Sequence, residues 1–306
     1  MTKEELNRYV KQAATKDLTD AERASLPGSF IDLPCGNTHY EMKGAGTPVV
    51  LVPGYATPYY IYNKVFDALL AEGYRVLRYD LLGRGLSERS DAVYSPSLFA
   101  RQLKELTDAL LPDTPFLLIG TSMGGAVTAT FCAEYPGRAK AVVWLAPAGM
   151  DTFRPPFYMK LANTPGIGTA VFHAIANKTL LSKCASEMTH VPQSEIDDFM
   201  RAFGDCIVYR GFVRCTLSSL RNTILGTKEV TKSYAKVAAQ GIPLLCVWGE
   251  EDKTMPFYQH KRFREVVPNA ALVPFSGSGH VFLFDEIART MEVVLPFLKE
   301  CEETVA

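Results

Sequence analysis

The stretch P-F-L-L-I-G-T-S-M-G-G-A-V-T-A-T-F-C-A-E-Y-P, residues 115–136, constrains the fold of this chain more than any other. Its opening run, Phe116 to Ile119, is unbroken, apolar and too short for a buried helix. That suits a strand covered on both faces of a parallel sheet. From Gly124 onward small and apolar residues recur at helical spacing as far as Tyr135, and Pro136 is a stop. Between strand and helix lies Gly120-Thr121-Ser122-Met123-Gly124, a G-x-S-x-G. Its glycines permit so tight a turn that Ser122 is expected in a strained conformation with its hydroxyl exposed. The helix starting there aims its unpaired N–H groups and the positive end of its dipole at whatever binds.

The same alternation repeats on either side. Ser29 to Pro34 and Asn37 to Lys43, split by Cys35-Gly36, read as an antiparallel pair at a sheet edge. Pro48 to Val52, Tyr74 to Tyr79, Ala139 to Leu145, Ile242 to Trp248 and Ala271 to Phe275 read as further strands, with helical patterns between them. The expected class is α/β, a mostly parallel doubly wound sheet with helices on both faces. Ligands in such sheets bind at the carboxyl ends of the strands, where Ser122 falls. Residues 150–239 break the rhythm with helical patterns punctuated by Pro155, Pro156, Pro165 and Gly166, and no comparable strand. They are read as an inserted helical cap lying over the strand ends. The division is a leader at 1–28, a core at 29–149 and 240–306, and the cap at 150–239.

At 306 residues the chain has room for one large domain with an insertion. A net charge of −1 and the absence of a basic stripe leave no footprint for nucleic acid. The seven cysteines are scattered and never spaced as C-x-x-C. Reduced thiols in a cytoplasmic compartment are therefore expected, rather than a disulfide framework or a metal site. No metal or cofactor is implied, since the five histidines also lack metal spacing. No stretch has the length of a membrane span. The first residues, M-T-K-E-E-L-N-R-Y-V-K-Q-A, lack the apolar core of a signal peptide. Leu6, Tyr9, Val10 and Ala13 fall at helical spacing, and Thr2 with Glu5 suits a capping box. Such a helix either packs on the body or makes a weak membrane-surface contact. Its polar face mixes both charge signs, which favours packing.

Chemistry is carried by three positions in chain order: Ser122, Asp252 and His280. Each lies just past a strand end, so a parallel sheet brings them together despite their separation in sequence. A serine hydroxyl is a poor nucleophile near neutral pH and needs an adjacent base, which in turn needs a carboxylate to orient it. Asp252 is preferred for that carboxylate, with Glu251 and, more distantly, Asp151 as rivals. His173 and His190 lie in the insertion. An oxyanion hole needs two backbone N–H groups. Met123, directly after the serine, supplies one. The loop after Pro48–Val52 supplies the other through Tyr55, with Gly54 allowing close approach.

Taken together, L-V-P-G-Y at 51–55, D-L-L-G-R-G-L-S at 80–87, G-T-S-M-G-G at 120–125, W-G-E-E-D at 248–252 and G-S-G-H at 277–280 resemble the α/β-hydrolase fold serine hydrolases with a helical cap, the esterase and monoacylglycerol-lipase-like branch. The resemblance spans about Ser29 to Lys299. It implies a Ser122-His280-Asp252 triad acting through an acyl-serine on a small hydrophobic carboxylic ester, acyl or monoglyceride-like, without a cofactor. One departure is Pro53, where the family usually has histidine, which leaves the backbone donors intact. Relatives that dehalogenate or open epoxides carry aspartate at the nucleophile position, and Ser122 argues against both. Carbon–carbon bond hydrolases of the family commonly place tryptophan soon after the histidine, where this chain has Val281 and Phe282. Rival readings with the same residues are a ligand-sensing homologue, an acyltransferase and a cofactor-free haloperoxidase.

Overall fold

The computed structural model describes residues 2–303. Among them eight strands form one sheet: β1 (Ser29–Leu33), β2 (Gly36–Lys43), β3 (Pro48–Val52), β4 (Arg75–Tyr79), β5 (Phe116–Thr121), β6 (Ala139–Leu145), β7 (Leu244–Gly249) and β8 (Ala271–Phe275). Their spatial order is β1-β2-β4-β3-β5-β6-β7-β8. β1 and β2 form the antiparallel edge, β2 meets β4 antiparallel, and all later pairs are parallel. This is the doubly wound sheet read from the sequence. β3, β5 and β7 are buried at every residue, which is why they are written as unbroken apolar runs instead of alternating ones.

Helices α1 (Lys3–Gln12) and α2 (Asp20–Arg23) precede the sheet; α3 (Asn63–Ala71), α4 (Pro96–Leu110) and α5 (Met123–Glu134) connect its first strands. The capping box is present on α1: Thr2 Oγ1 accepts from Glu5 N at 3.1 Å and Glu5 Oε2 accepts from Thr2 N at 2.8 Å. Between β6 and β7 come α6 (Phe157–Ala162), α7 (Ile167–Glu187), α8 (Gln193–Ile207), α9 (Phe212–Ser219) and α10 (Thr227–Ala238). After β7 follow α11 (His260–Val266), α12 (Phe282–Asp285) and α13 (Ile287–Glu303). The buried Tyr9 of α1 lies on Gly204 of α8, where a Cβ would sit 2.5 Å from its ring. The leader helix thus spends its apolar side on the inserted helices.

The segment 150–239 is not uniform. Its last helix, α10, packs on α5. Tyr234 of α10 meets Trp144 of β6 edge-on, 5.0 Å between ring centroids, and donates to Ala148 O at 2.9 Å. The periodicity of α10 shows a buried face but not which neighbour covers it. Only the tertiary contact places this helix against the sheet.

α5 is buried from Met123 to Cys132. It is fixed to the sheet by Trp144 Nε1, which donates to Thr128 Oγ1 at 3.0 Å. Gly124 brings this helix onto the end of β3: a Cβ there would lie 2.1 Å from Val52 O and 2.7 Å from Pro53 O. Alanine at a helical glycine gains about 1 kcal/mol of propensity, but overpacking against a backbone carbonyl that cannot rotate away costs about 3 kcal/mol or more. Gly124→Ala should therefore lower unfolding free energy in urea by about 2 kcal/mol or more. A neutral or stabilising result would show that the end of β3 yields.

Candidate active site

Ser122 sits between β5 and α5 with φ 52° and ψ −120°. Four hydrogen bonds hold that turn. Ser122 N donates to Leu145 O at 2.9 Å, Gly125 N and Ala148 N both donate to Ser122 O at 2.9 Å, and Thr121 Oγ1 donates to Leu145 O at 3.2 Å. No side chain fits at Gly120, where a Cβ would be 2.5 Å from Gly124 O, so strand and helix meet back to back. The turn faces the end of β3, where a Cβ on Gly54 would stand 3.4 Å from Ser122 Cβ.

Of the three carboxylates weighed from the sequence, the structure brings Asp252 to the histidine. His280 Nδ1 and Asp252 Oδ2 are 2.7 Å apart, and the aspartate side chain is fully buried. Its other oxygen, Oδ1, accepts from Thr254 N at 2.8 Å and Met255 N at 2.7 Å. Trp248 Nε1 in turn donates to Met255 O at 2.8 Å, fastening the loop to β7. Glu251 points to solvent, and Asp151 forms a two-pronged ion pair with Arg262 at 2.8 and 3.1 Å.

The loops after β7 and β8 lie side by side, which is how the pair meets. Glu250 N donates to Phe275 O and Glu251 N to Ser278 O, both at 3.0 Å. Gly249 allows this, since a Cβ there would be 2.4 Å from the carbonyls of Ser278 and Gly279. Arg289 of α13 holds the second loop from behind through Ser276 O at 3.0 Å and Ser278 Oγ at 3.1 Å.

His39 makes a second pair of this kind, with Asp80 at 2.7 Å. No serine faces it. Its Nε2 lies 2.9 Å from Pro27 O, and its ring stacks on Tyr59. Asp80 also accepts from Tyr59 N at 2.7 Å and Leu86 N at 2.9 Å, so this pair braces the loops around β4. His173 and His190 are exposed on the inserted segment.

Tyr55 lies in the loop after β3, and among the described residues its N–H donates to no protein acceptor. Met123 N is the first of α5, one of the N–H groups a helix leaves unpaired. Its side chain is fully buried, so only its backbone reaches the site. The Tyr55 loop is fixed at both ends of the residue. The phenol donates to Thr216 O at 2.9 Å, and Tyr55 O accepts from Arg84 Nε at 2.7 Å. Arg84 is fully buried with no carboxylate partner among the described residues, and burial lowers its pKa. The sequence reading did not single out this arginine within D-L-L-G-R-G-L-S, and nothing local tells that its partner is the Tyr55 carbonyl.

Ser122, His280, Gly54 and Tyr55 open onto one cavity, roofed by α6 and α7 and walled by Met159, Leu161, Phe172, Leu220 and Ile224. Besides His280 the charged side chains on its wall are Lys183 and Glu187, one turn apart on α7 with 3.5 Å between Nζ and Oε1. Glu187 Oε1 also accepts from Thr254 Oγ1, tying the inserted segment to the Asp252 loop. Cys184 lines the same wall, but burial, with Glu187 adding, pushes its thiol well up, so it is no rival nucleophile. Sequence reasoning missed Glu187 and Thr254.

The strained turn of Ser122 and the buried His280–Asp252 pair thus meet at one cavity at the carboxyl edge of the sheet. Residues 47–287 match the alpha/beta hydrolase fold family, and the chain belongs to it. It is 27% identical over 301 residues to a 2-hydroxy-6-oxononadienedioate/2-hydroxy-6-oxononatrienedioate hydrolase of Cupriavidus pinatubonensis, covering 94% of this chain and 99% of that one. It is 25% identical over 261 residues to lipase 3 of a Moraxella species, covering 80% of this chain and 75% of the lipase. An esterase from Exiguobacterium antarcticum has the same fold, with a TM-score of 0.74 at 21% identity over 89% of this chain and all of the other. Among the described residues no helix is long and apolar enough to cross a membrane.

The His280 environment sets a pH response. Burial works to lower its pKa, but the Asp252 carboxylate outweighs that by charge and by hydrogen bond, and Glu187 adds to it. The ring therefore titrates above its ordinary 6.5. Proton NMR of the histidines, with His280 assigned by substitution, should give a midpoint above 6.5. Glu187→Gln should move it down, since a raising charge is lost. A midpoint that stays put or rises would show that Glu187 does not act on the ring.

Proposed function

We propose that the chain hydrolyses carboxylic esters with hydrophobic acyl groups through Ser122, His280 and Asp252. The observation that carries this is the strained Ser122 opening onto the same apolar cavity as His280, whose Nδ1 is bound to a buried carboxylate. His280 Nε2 takes the proton as Ser122 Oγ attacks the ester carbonyl. The N–H groups of Tyr55 and Met123 hold the oxyanion. Collapse expels the alcohol, which receives its proton from His280, and leaves an acyl-serine. Water, deprotonated by His280, then attacks that ester and releases the acid and the free serine. Asp252 fixes the ring so that Nε2 faces the serine, and stabilises the imidazolium formed in each half. No step requires a cofactor.

The cavity wall supports the choice of acyl group, and so does the likeness to a lipase. The dicarboxylate named for the Cupriavidus relative fits less well. Its two negative charges would meet a wall whose single lysine already faces a glutamate. A reducing compartment belongs to the same proposal, and Cys35, Cys132, Cys184, Cys206, Cys215 and Cys246 are unbonded thiols.

Labelling with a fluorophosphonate, followed by peptide mapping, tests the nucleophile. Stoichiometric label on Ser122, none in Ser122→Ala and little in His280→Ala, is the expected result. Asp252→Asn should lower kcat on a soluble acyl ester by about 10⁴-fold, because the wrong ring nitrogen then carries the proton. Folded protein that takes no label and turns over no ester would sink the reading and bring a ligand-sensing role forward. Product esters formed with added alcohol would move it to acyl transfer.

A further inference from the structure

We propose that the outer face of α6 and α7 docks on the surface of a lipid bilayer carrying anionic headgroups. Large apolar side chains with high exposure are few among the described residues, and five of those seven fall between Phe157 and Ile175. Phe157 is 78% exposed and Ile167 72%. Ile167, Val171 and Ile175 stand at four-residue intervals on α7 and so form one stripe along it. Phe157 and Tyr158 continue the stripe on α6, which packs against α7. Singly scattered apolar residues need no explanation, but a continuous patch does.

Charge tells what covers it. From 152 to 186 the chain has no aspartate or glutamate, yet it has Arg154, Lys160, Lys178 and Lys183. Among the described residues, Arg154, Lys160 and Lys178 are exposed with no carboxylate partner. Lys178 follows Ile175 by one turn on the same stripe, and Lys160 follows Phe157 likewise. The nearest acids are already engaged, Asp151 by Arg262 and Glu187 by Lys183 and Thr254. An apolar stripe edged by unpaired cations on a chain of net charge −1 matches an acyl boundary beneath anionic headgroups. An apolar patch on a protein partner would not require the cations.

The stripe also continues into the cavity. Tyr158, Val171 and Ile175 are exposed on the outside and line the cavity within. A ligand leaving a docked bilayer would pass from lipid to cavity along these side chains. The docking surface stands whether or not the ester reading does, because it is tested by binding alone.

Co-sedimentation of the full chain with unilamellar vesicles tests it, using phosphatidylcholine alone and an equal mixture with phosphatidylglycerol. Binding to the mixed vesicles should fall as salt rises and exceed binding to the neutral ones by about a hundredfold, three basic side chains contributing about fivefold each. The double variant Phe157→Glu/Ile167→Glu should not sediment, while unfolding at the wild-type temperature; neither residue lines the cavity. Lys160→Glu/Lys178→Glu should lose the preference for anionic vesicles. The proposal is overturned by equal binding to both vesicles, by no binding to either, or by the first double variant binding as the wild type does. A wild-type dimer that this variant dissociates, with no vesicle binding, would overturn it in favour of contact between copies.

Discussion

A backbone held at φ 52° at Ser122 is the constraint on which the rest depends. Such a conformation costs about 1–3 kcal/mol for a residue with a side chain, and it persists only where neighbours over-determine it. Here they come from both sides. The end of β6 receives Ser122 N through Leu145 O, and the loop beyond it returns Ala148 N to Ser122 O. That loop itself turns through Ala146 at φ 47°, tied to Val247 O of β7 at 2.9 Å. Strain in the serine turn is thus shared with the turn of the neighbouring strand, and both are anchored to a third. A strand slipped by one residue anywhere in β5–β6–β7 would undo all of it.

The same sheet explains how two loops with few contacts of their own assemble a histidine–aspartate pair. Parallel neighbours β7 and β8 deliver their loops to the same edge, and backbone hydrogen bonds join those loops before any side chain is involved. Asp252 then makes two hydrogen bonds within its own turn and a third to His280, so its carboxylate is oriented by backbone as well as by the ring. Because that carboxylate raises the His280 pKa, the protonated ring stabilises the fold. The contribution is complete below the unfolded value of 6.5 and is lost as pH rises through the folded midpoint. The neutral ring that can accept a proton is therefore the less stabilising form.

What could be read from the sequence follows from how local each signal is. Ser122 announces itself through glycines two residues to either side, because the turn's geometry is a local steric demand. The alternation of strands and helices did the same for the mostly parallel sheet and its antiparallel edge pair, but not for the order of its strands. Between Asp252 and Glu251 the residues alone left a choice, which burial decides. Glu187, Thr254 and Arg84 act on atoms far away in the chain, so nothing near them in sequence marks their partners. For α10 the helical period was legible, but the surface it faces is a tertiary fact. On α1 the capping box was plain in Thr2 and Glu5, whereas the burial of Tyr9 against Gly204 needed the neighbour.

The inserted helices do two things that a cover alone would not. Through Glu187 and Thr254 they reach the loop that carries Asp252, so a shift of α7 would be felt at the carboxylate as well as in the charge that Glu187 presents to the histidine. Through Tyr55 and Thr216 they reach the loop after β3 in the same way, from α9. Both flanks of Ser122 are therefore fastened to the insertion by side-chain hydrogen bonds, while the serine turn bonds directly to the end of β6, to α5 and to the loop after β6. Motion of the insertion would be expected to change the alignment of the two flanks with respect to a serine that stays where it is. The serine turn reaches the insertion less directly, through Ala148, whose carbonyl Tyr234 of α10 holds.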